Sequence, residues 1–259
     1  MSAVRRMFVL LCGYEILPMT VSLRGANPRF IVSVPICTYL LDTTEGWVLL
    51  DAGLDEHHLR DPSQIEKYFA PGAWHPPPVV KPEHEMGAQL AAIGIGFEDI
   101  STLVLSHLHA DHSGHIKRMP QARVVIQKVE YDYAFSDAEK IAYFTEDYDL
   151  PSIDWQIIDG DTPILPGIEA IFTPGHTPGH QSLVVDLPRT GKVILTADVG
   201  DWIENFTKEI LPGSATNDDE ALASIRRINA LWANTGAEMF LTHDPVLVQK
   251  IRLAPEFYD

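Results

Sequence analysis

Short apolar runs alternate with polar turns along most of the chain, which predicts a fold rich in β-strands. Two of these runs, 34–42 and 47–53, are joined by the turn 43–46 and predict a hairpin. The strands that we expect cover residues 7–17, 34–42, 47–53, 103–105, 122–127, 155–158, 168–173, 182–186, 192–198 and 237–243.

Three other segments predict helices, because their apolar residues recur at helical spacing or because they lack turn residues. The helices that we expect cover 83–93, 128–146 and 218–234. The last one has apolar residues along one side only, which is typical of a helix packed on a sheet.

The segments 18–33 and 54–82 contain several prolines or glycines and are interpreted as loops. The second loop also contains Tyr68, Phe69 and Trp74, and aromatic residues in a long loop need something to pack against. Two interpretations stay open for it: a surface excursion, or a loop-rich cap over a pocket.

Composition describes a globular protein, with 46% apolar and 21% charged residues in a chain of 259. That length allows one large α/β domain or two small ones. Arg5 and Arg6 precede an apolar run, as in a signal peptide, but the run is short and no small-residue cleavage site follows. We interpret it as the first strand. Cys12 and Cys37 lie in apolar runs, and two buried thiols fit a reducing compartment, so we expect a cytoplasmic location.

The formal net charge of −17 repels phosphate backbones and anionic lipid surfaces. We therefore expect neither a nucleic acid nor a membrane as partner. No run of 18 apolar residues, the length a membrane helix needs, is present.

Candidate chemistry is concentrated at 106–112, which places His107, His109, Asp111 and His112 directly after a predicted strand. The spacing is too short for successive helical turns and suits a tight loop in which side chains converge. Imidazole and carboxylate are ligands for zinc and other first-row divalent metals, so the loop predicts a metal site.

Four further polar residues end predicted strands: Asp51, His176, Asp198 and His243. Strand ends in layered α/β folds are where functional sites collect. Together with the histidine loop these side chains are enough for two metals, and a carboxylate can bridge them. Two strand ends of similar sequence, 48–53 and 193–198, also suggest two similar halves with the site at their junction.

This whole pattern resembles the metallo-β-lactamase superfamily over the full chain, through 106–112, 173–180, Asp198 and His243, with Asp51 upstream. The resemblance implies an α/β fold of the αββα type, a sandwich of two mixed β-sheets flanked by helices. It implies a single hydrolase domain over 1–259, with the cap at about 54–82.

The resemblance also implies two divalent metal ions, for which we expect zinc first, with iron, cobalt or manganese as alternatives. One metal would be held by His107, His109 and His176, and the other by Asp111, His112 and His243, with Asp198 shared by both. Asp51 would orient a ligand, and His180 is interpreted as a hydrogen-bonded structural histidine. The remaining histidines are interpreted as surface or pocket-rim residues: His57, His58, His75, His84 and His115.

Within the superfamily the chain is most similar to the quorum-quenching N-acyl homoserine lactonases, through 35–41, 175–183, 204–206 and 255–258. That resemblance implies a metal-dependent hydrolase that opens the lactone ring by attack of a hydroxide between the metals, with a homodimer as one possible assembly. Asp198 and Asp111 are the catalytic candidates, the latter passing the proton on. The candidate pocket residues are Met19, Phe30, Tyr68, Phe69, Trp74, Ala110, Asp201 and Trp202.

Two positions depart from the lactonase pattern. Asp201, followed by Trp202, stands where those enzymes usually have a tyrosine that hydrogen-bonds the substrate carbonyl, and an ionised carboxylate there would oppose a developing oxyanion. Ala110 stands where they tend to have a bulky aromatic residue, so the pocket is expected to be wider. The alternatives are a hydrolase of another lactone, ester or thioester, similar to glyoxalase II, and a non-catalytic metal-binding homologue.

Overall fold

The computed structural model describes residues 2–71, 74 and 76–259. Within them every strand that the sequence predicts is present, together with one that it does not predict, Thr162–Leu165. In chain order the strands are β1 Val4–Pro18, β2 Ile31–Thr43, β3 Gly46–Leu50, β4 Ile100–Val104, β5 Arg123–Gln127, β6 Asp154–Ile158, β7 Thr162–Leu165, β8 Ile168–Phe172, β9 Gln181–Leu187, β10 Gly191–Leu195 and β11 Glu238–Phe240.

The helices are short except for the last one. They are α1 Met19–Ser22, α2 Pro62–Phe69, α3 Met86–Ile93, α4 Ala110–Ser113, α5 Lys128–Ala134, α6 Ile203–Thr207 and α7 Asp218–Thr235. Across the same described residues, no helix has both the length and the apolar character that crossing a membrane requires.

The strands form two mixed sheets. The first has the order β1-β2-β3-β4-β5-β6, antiparallel through β3 and parallel from β3 onward. The second has the order β11-β10-β9-β8-β7 and is antiparallel apart from the parallel pair β10–β11. The predicted hairpin is confirmed, since β2 pairs with β3 from Tyr39 opposite Leu50 to Thr43 opposite Gly46.

Helices cover the outer faces of both sheets, which confirms the predicted αββα sandwich. One apolar core, containing residues of β1 to β6 and β8 to β11, lies between the sheets. A second core lies between the first sheet and α2, α3 and α5, and a third between the second sheet and α6 and α7. Most residues of β1 to β5 are thus buried on both faces of the first sheet, and this explains why β1 is an almost continuous apolar run. β6, at the other edge, is partly exposed.

α7 confirms the amphipathic pattern of the sequence. It begins after Asn217, whose side chain accepts a hydrogen bond from the Glu220 amide, and it ends at Gly236 in the left-handed conformation. Ile225 and Ile228 are fully buried against the second sheet. This helix therefore supports the strands whose ends carry part of the candidate site.

β1 is the outer strand of the first sheet, and the C-terminal segment covers its free edge. Met7 and Tyr258 exchange two backbone hydrogen bonds of 2.8 Å, and the Ala254 amide donates to the Val9 carbonyl at 2.9 Å. The end of the chain is thereby joined to its beginning.

Four loop and helix predictions need correction. The segment 18–33 is not wholly a loop, since it contains α1 and the first residues of β2. The segment 54–82 is not wholly irregular: it contains a 3-10 turn at Glu56–Leu59 and then α2, which begins after the Asp61 cap with a proline in its first turn. The helix predicted over 83–93 begins at Met86, after a 3-10 turn. The helix predicted over 128–146 ends at Ala134, where serine and aspartate follow and favour turns over helix.

Gly114 is required by the close approach of two loops. Its amide donates to the Gly53 carbonyl at 2.8 Å, and a Cβ on it would lie 2.2 Å from the Asp55 nitrogen. Since Gly53 follows β3 and Gly114 follows the histidine loop, this contact fixes one candidate loop against the other.

We expect Gly114→Ala to lower the free energy of unfolding by ~1–3 kcal/mol, as overpacking against backbone atoms usually does. Denaturant unfolding measures the change. The matched control is Gly87→Ala in α3, where a Cβ would make only an ordinary 3.5 Å contact with Phe97 and should be neutral or slightly stabilising. Equal midpoints for the two variants would contradict the packing argument.

Candidate metal centre

The first histidine cluster forms where β4 and β8 end. The ring nitrogens His107 Nε2, His109 Nδ1 and His176 Nε2 lie 3.0–3.2 Å from one another. Burial lowers the pKa of His109 to about 4 and that of His176 to about 3, so both rings are neutral and offer lone pairs. Nitrogens bound to one tetrahedral zinc are about 3.3 Å apart, so the triangle has the size of a metal site.

The second cluster combines two histidines with a carboxylate. Asp111 Oδ2 lies 3.1 Å from His112 Nε2 and 3.6 Å from His243 Nε2. Burial disfavours a charge on His243, but the carboxylates of Asp198 and its neighbours outweigh this and raise the pKa of His243 to about 10. The cluster thus attracts positive charge, which a divalent cation also supplies.

Asp198 lies between the two clusters. Its Oδ1 is 3.4 Å from His112 Nε2 and 3.3 Å from His243 Nε2, while its Oδ2 is 3.3 Å from His176 Nε2. In the part of the chain that the structure describes, Oδ1 has no hydrogen-bond donor although it is buried. A bridging carboxylate between two cations satisfies both oxygens, so these residues fit a dinuclear metal site.

The backbone conformation is strained at or next to two of the buried carboxylates, Asp51 and Asp198. Ala197, just before Asp198, has φ +45°, and Asp51 itself has φ +62°. Residues other than glycine rarely adopt this conformation, and such strain is concentrated at functional sites.

Asp51 orients one ligand through a compact hydrogen-bond network. Its Oδ1 accepts from the Ser106 amide at 2.7 Å, and its Oδ2 lies 2.8 Å from His112 Nδ1. The Ser106 hydroxyl reaches Asp51 Oδ2 at 2.8 Å and His107 Nδ1 at 2.9 Å. A carboxylate behind a ligating imidazole directs its other nitrogen toward the metal.

His243 and His180 have different hydrogen-bond partners. His243 Nδ1 donates to the Pro35 carbonyl at 2.7 Å, which leaves Nε2 facing the cluster. His180 Nε2 accepts from the Asp198 amide at 3.0 Å, and its Nδ1 donates to the Thr173 carbonyl at 3.0 Å. With both nitrogens engaged, His180 holds the Asp198 backbone, as a structural histidine would.

Glu130 joins the two loops that carry the first cluster. It is fully buried and accepts four hydrogen bonds, from the Leu108 amide (3.1 Å), the Tyr143 hydroxyl (2.7 Å), the Thr177 hydroxyl (2.7 Å) and the Gly179 amide (3.1 Å). The ligand pattern of the sequence does not predict this role for Glu130. A glutamate two residues into a predicted helix directly after a buried strand was the available signal.

A cavity of about 530 Å³ opens onto both clusters. Five of the predicted ligands lie in its wall, namely His109, Asp111, His176, Asp198 and His243. Apolar side chains contribute much of the rest, including Leu17, Val21, Ile31, Trp74, Pro76 and Ile141. Three carboxyl groups outside the predicted ligand set also line it: the buried Glu15 and Asp201, and the exposed Glu139.

The predicted pocket residues divide into two groups. Trp74 and Asp201 line the cavity, and burial raises the pKa of Asp201 to about 6. The cavity wall described by the structure does not include the other six, which are Met19, Phe30, Tyr68, Phe69, Ala110 and Trp202.

Four of these six residues lie away from the cavity for different structural reasons. Tyr68 and Phe69 pack in the core beneath the first sheet, and Ala110 is fully buried under the histidine loop. Phe30 is 59% exposed, and its neighbour Ile31 lines the cavity instead. Of the three aromatic residues Tyr68, Phe69 and Trp74, it is Trp74 that lines the cavity, as a cap residue would.

Three of the remaining histidines are not surface residues, which corrects that prediction. His58, His84 and His115 are buried. His58 Nε2 lies 3.0 Å from both carboxylate oxygens of Asp147, and His115 Nε2 lies 3.0 Å from Glu56 Oε2. For His58 and His115, side-chain carboxylates distant in sequence allow this burial, so a local pattern could not reveal it.

The other two predicted surface histidines are His57 and His75. His57 is exposed on more than half of its side chain, as expected. His75 lies outside the described residues.

Comparison with known proteins identifies the family. Residues 34–230 match the family model of the metallo-beta-lactamase superfamily. N-acyl homoserine lactonase AttM of Azorhizobium caulinodans is 31% identical over 234 residues, which cover 87% of this chain and 88% of AttM. N-acyl homoserine lactonase AiiA of Bacillus thuringiensis subsp. kurstaki is 29% identical over 98% of this chain and 99% of its own.

Solved structures give the same result. A crystal structure of a B. thuringiensis AiiA variant with N-decanoyl-L-homoserine at its active site matches with a TM-score of 0.88 and 28% identity, over 100% of both chains. An N-acyl homoserine lactone hydrolase with the product N-hexanoyl-L-homoserine at its catalytic metal center matches with a TM-score of 0.86 and 28% identity, also over 100% of both chains. The chain therefore belongs to the metallo-beta-lactamase superfamily and is similar within it to the N-acyl homoserine lactonases.

Proposed function

We propose that this protein is a dinuclear metal-dependent hydrolase that opens the lactone ring of N-acyl homoserine lactones. The observation that carries the proposal is Asp198, whose two oxygens face two separate ligand clusters at the wall of a largely apolar cavity. The relatives that match over most of this chain are named for the same activity.

The two clusters would hold one divalent ion each, and we propose zinc, with iron, cobalt or manganese as alternatives. The metal-holding residues would be His107, His109 and His176 in one site and Asp111, His112 and His243 in the other, with Asp198 common to both. When bound, such ions lower the pKa of water to near neutrality and polarise a carbonyl oxygen.

The protein's own side chains would position the substrate and handle the proton. Histidine charges around Asp111 outweigh its burial and lower the pKa of Asp111 to about 2, so it is ionised and would take the proton of the attacking water. It lines the cavity, where it can pass that proton to the alkoxide released by ring opening. Apolar residues such as Val21, Ile31 and Ile141 would hold the acyl chain.

We expect the purified protein, loaded with metal, to open N-hexanoyl homoserine lactone, with proton release followed by a pH indicator. His109→Ala should lower kcat/KM more than about 100-fold, because losing a ligand should cost at least as much as losing its outer hydrogen-bond partner. His57→Ala, which changes an exposed histidine, is the matched control and should retain activity.

The assay should include long and short acyl chains, plain γ-lactones, esters and a thioester. If a sample with two metals per chain opens no acyl homoserine lactone, the proposal is wrong. Cleavage of a thioester or an ester alone would show that the protein is another kind of hydrolase. The absence of any turnover would show that it is a binding protein.

Asp51→Asn should weaken metal binding by about 10–100-fold, since the carboxylate that orients His112 loses its charge. Competition against a chelator measures the affinity. Asp132→Asn, an exposed carboxylate on α5, provides the comparison and should bind metal as the wild type does. Unchanged metal affinity in Asp51→Asn would show that His112 is oriented by other contacts.

A further inference from the structure

Glu15 lies in the cavity wall but has no part in the metal clusters. It belongs to β1, opposite Val34 of β2 and beside Pro35, whose carbonyl holds the ring of His243. Its residue surface is only 7% exposed, yet the side chain lines the cavity. The fold therefore presents a buried carboxyl group to whatever occupies the space next to His243.

One oxygen of this carboxyl group lacks a partner. Among the residues that the structure describes, none donates a hydrogen bond to Glu15 Oε1, although the atom is buried. Buried polar atoms in folded proteins almost always have a partner, so an unpartnered oxygen at a cavity wall indicates a ligand that supplies a donor. Burial raises the pKa of Glu15 to about 8, and in either protonation state the group keeps an oxygen that can accept.

We propose that Glu15 is a specificity-determining residue that accepts a hydrogen bond from the amide N–H of an N-acyl homoserine lactone. This inference rests on the proposed function. The amide nitrogen is bonded to the ring carbon next to the reacting carbonyl and lies about 2.5 Å from the carbonyl carbon. A carbonyl placed between the two clusters therefore brings the N–H toward the wall that Glu15 shares with Asp111 and His243.

The polarity of the cavity wall also favours a substrate hydrogen-bond donor beside Glu15. Outside the metal clusters, Asp201 is the other buried carboxyl group of the described wall, 7% exposed, whereas much of the remaining wall is apolar. A substrate N–H meets an acceptor there, while a lactone with only CH groups leaves the Glu15 oxygen without a partner. Sites built to hydrogen-bond a substrate group discriminate against analogues that lack it.

The experiment compares N-hexanoyl homoserine lactone with γ-decalactone, which has the ring but no amide. Glu15→Met preserves much of the side-chain volume and removes the acceptor. We expect it to lower kcat/KM for the amide-bearing lactone at least tenfold, or about 1.4 kcal/mol, and to leave γ-decalactone within about twofold. Glu15→Gln, which keeps a carbonyl oxygen, should retain most of the wild-type preference.

Binding gives a readout that does not depend on turnover. The Kd of the non-hydrolysable N-hexanoyl homoserine lactam, measured by calorimetry, should rise at least tenfold in Glu15→Met. Glu139→Met is the matched control, since it removes an exposed carboxylate from the rim of the same cavity and should leave the Kd unchanged. Melting temperature and metal content establish that each variant is folded and loaded.

The outcomes separate this inference from the proposed function. A wild type that opens no acyl homoserine lactone overturns both. A wild type that opens them, with the ratio between the two lactones and the lactam Kd unchanged in Glu15→Met, overturns the inference alone. Equal losses for both lactones would also overturn it, because they would show that Glu15 acts on the metal centre or the fold.

Discussion

The site depends on one electrostatic constraint: a buried carboxylate, Asp198, faces histidine nitrogens on both sides at 3.3–3.4 Å. Neither cluster is complete without it, and a lone negative charge is costly to bury. Much of the surrounding structure serves this arrangement. The His180 ring accepts a hydrogen bond from its backbone amide, and the strained Ala197 directly precedes it.

The two clusters differ in charge, so the metal centre is electrostatically asymmetric. In the first, burial leaves His109 and His176 neutral, so a cation there would be neutralised only by its share of Asp198. In the second, Asp111 adds a full negative charge. A cation bound by neutral ligands withdraws more electron density from a substrate oxygen. A cation at the first cluster would therefore polarise a substrate oxygen more strongly, while the proton acceptor Asp111 belongs to the second cluster.

The strands and the ligand loops could be read from the sequence because both follow from local rules. A buried strand is an apolar run, and a polar residue directly after it, such as Asp51 or Asp198, stands at a sheet edge. The cavity wall could not be read in this way. Tyr68 entered the core and Phe30 the surface because loop packing placed them there, and Glu15 was hidden in a strand whose other residues predict only burial.

The C-terminal segment along β1 bears on how the protein avoids self-association. An outer strand with free amide and carbonyl groups is a template for another chain, and β1 is long and apolar. Here Ala254 and Tyr258 occupy part of that edge. Removing the last few residues would leave the catalytic side chains in place but expose unpaired backbone amide and carbonyl groups of β1. Such a truncation would therefore cause aggregation while the geometry of the active site stays intact.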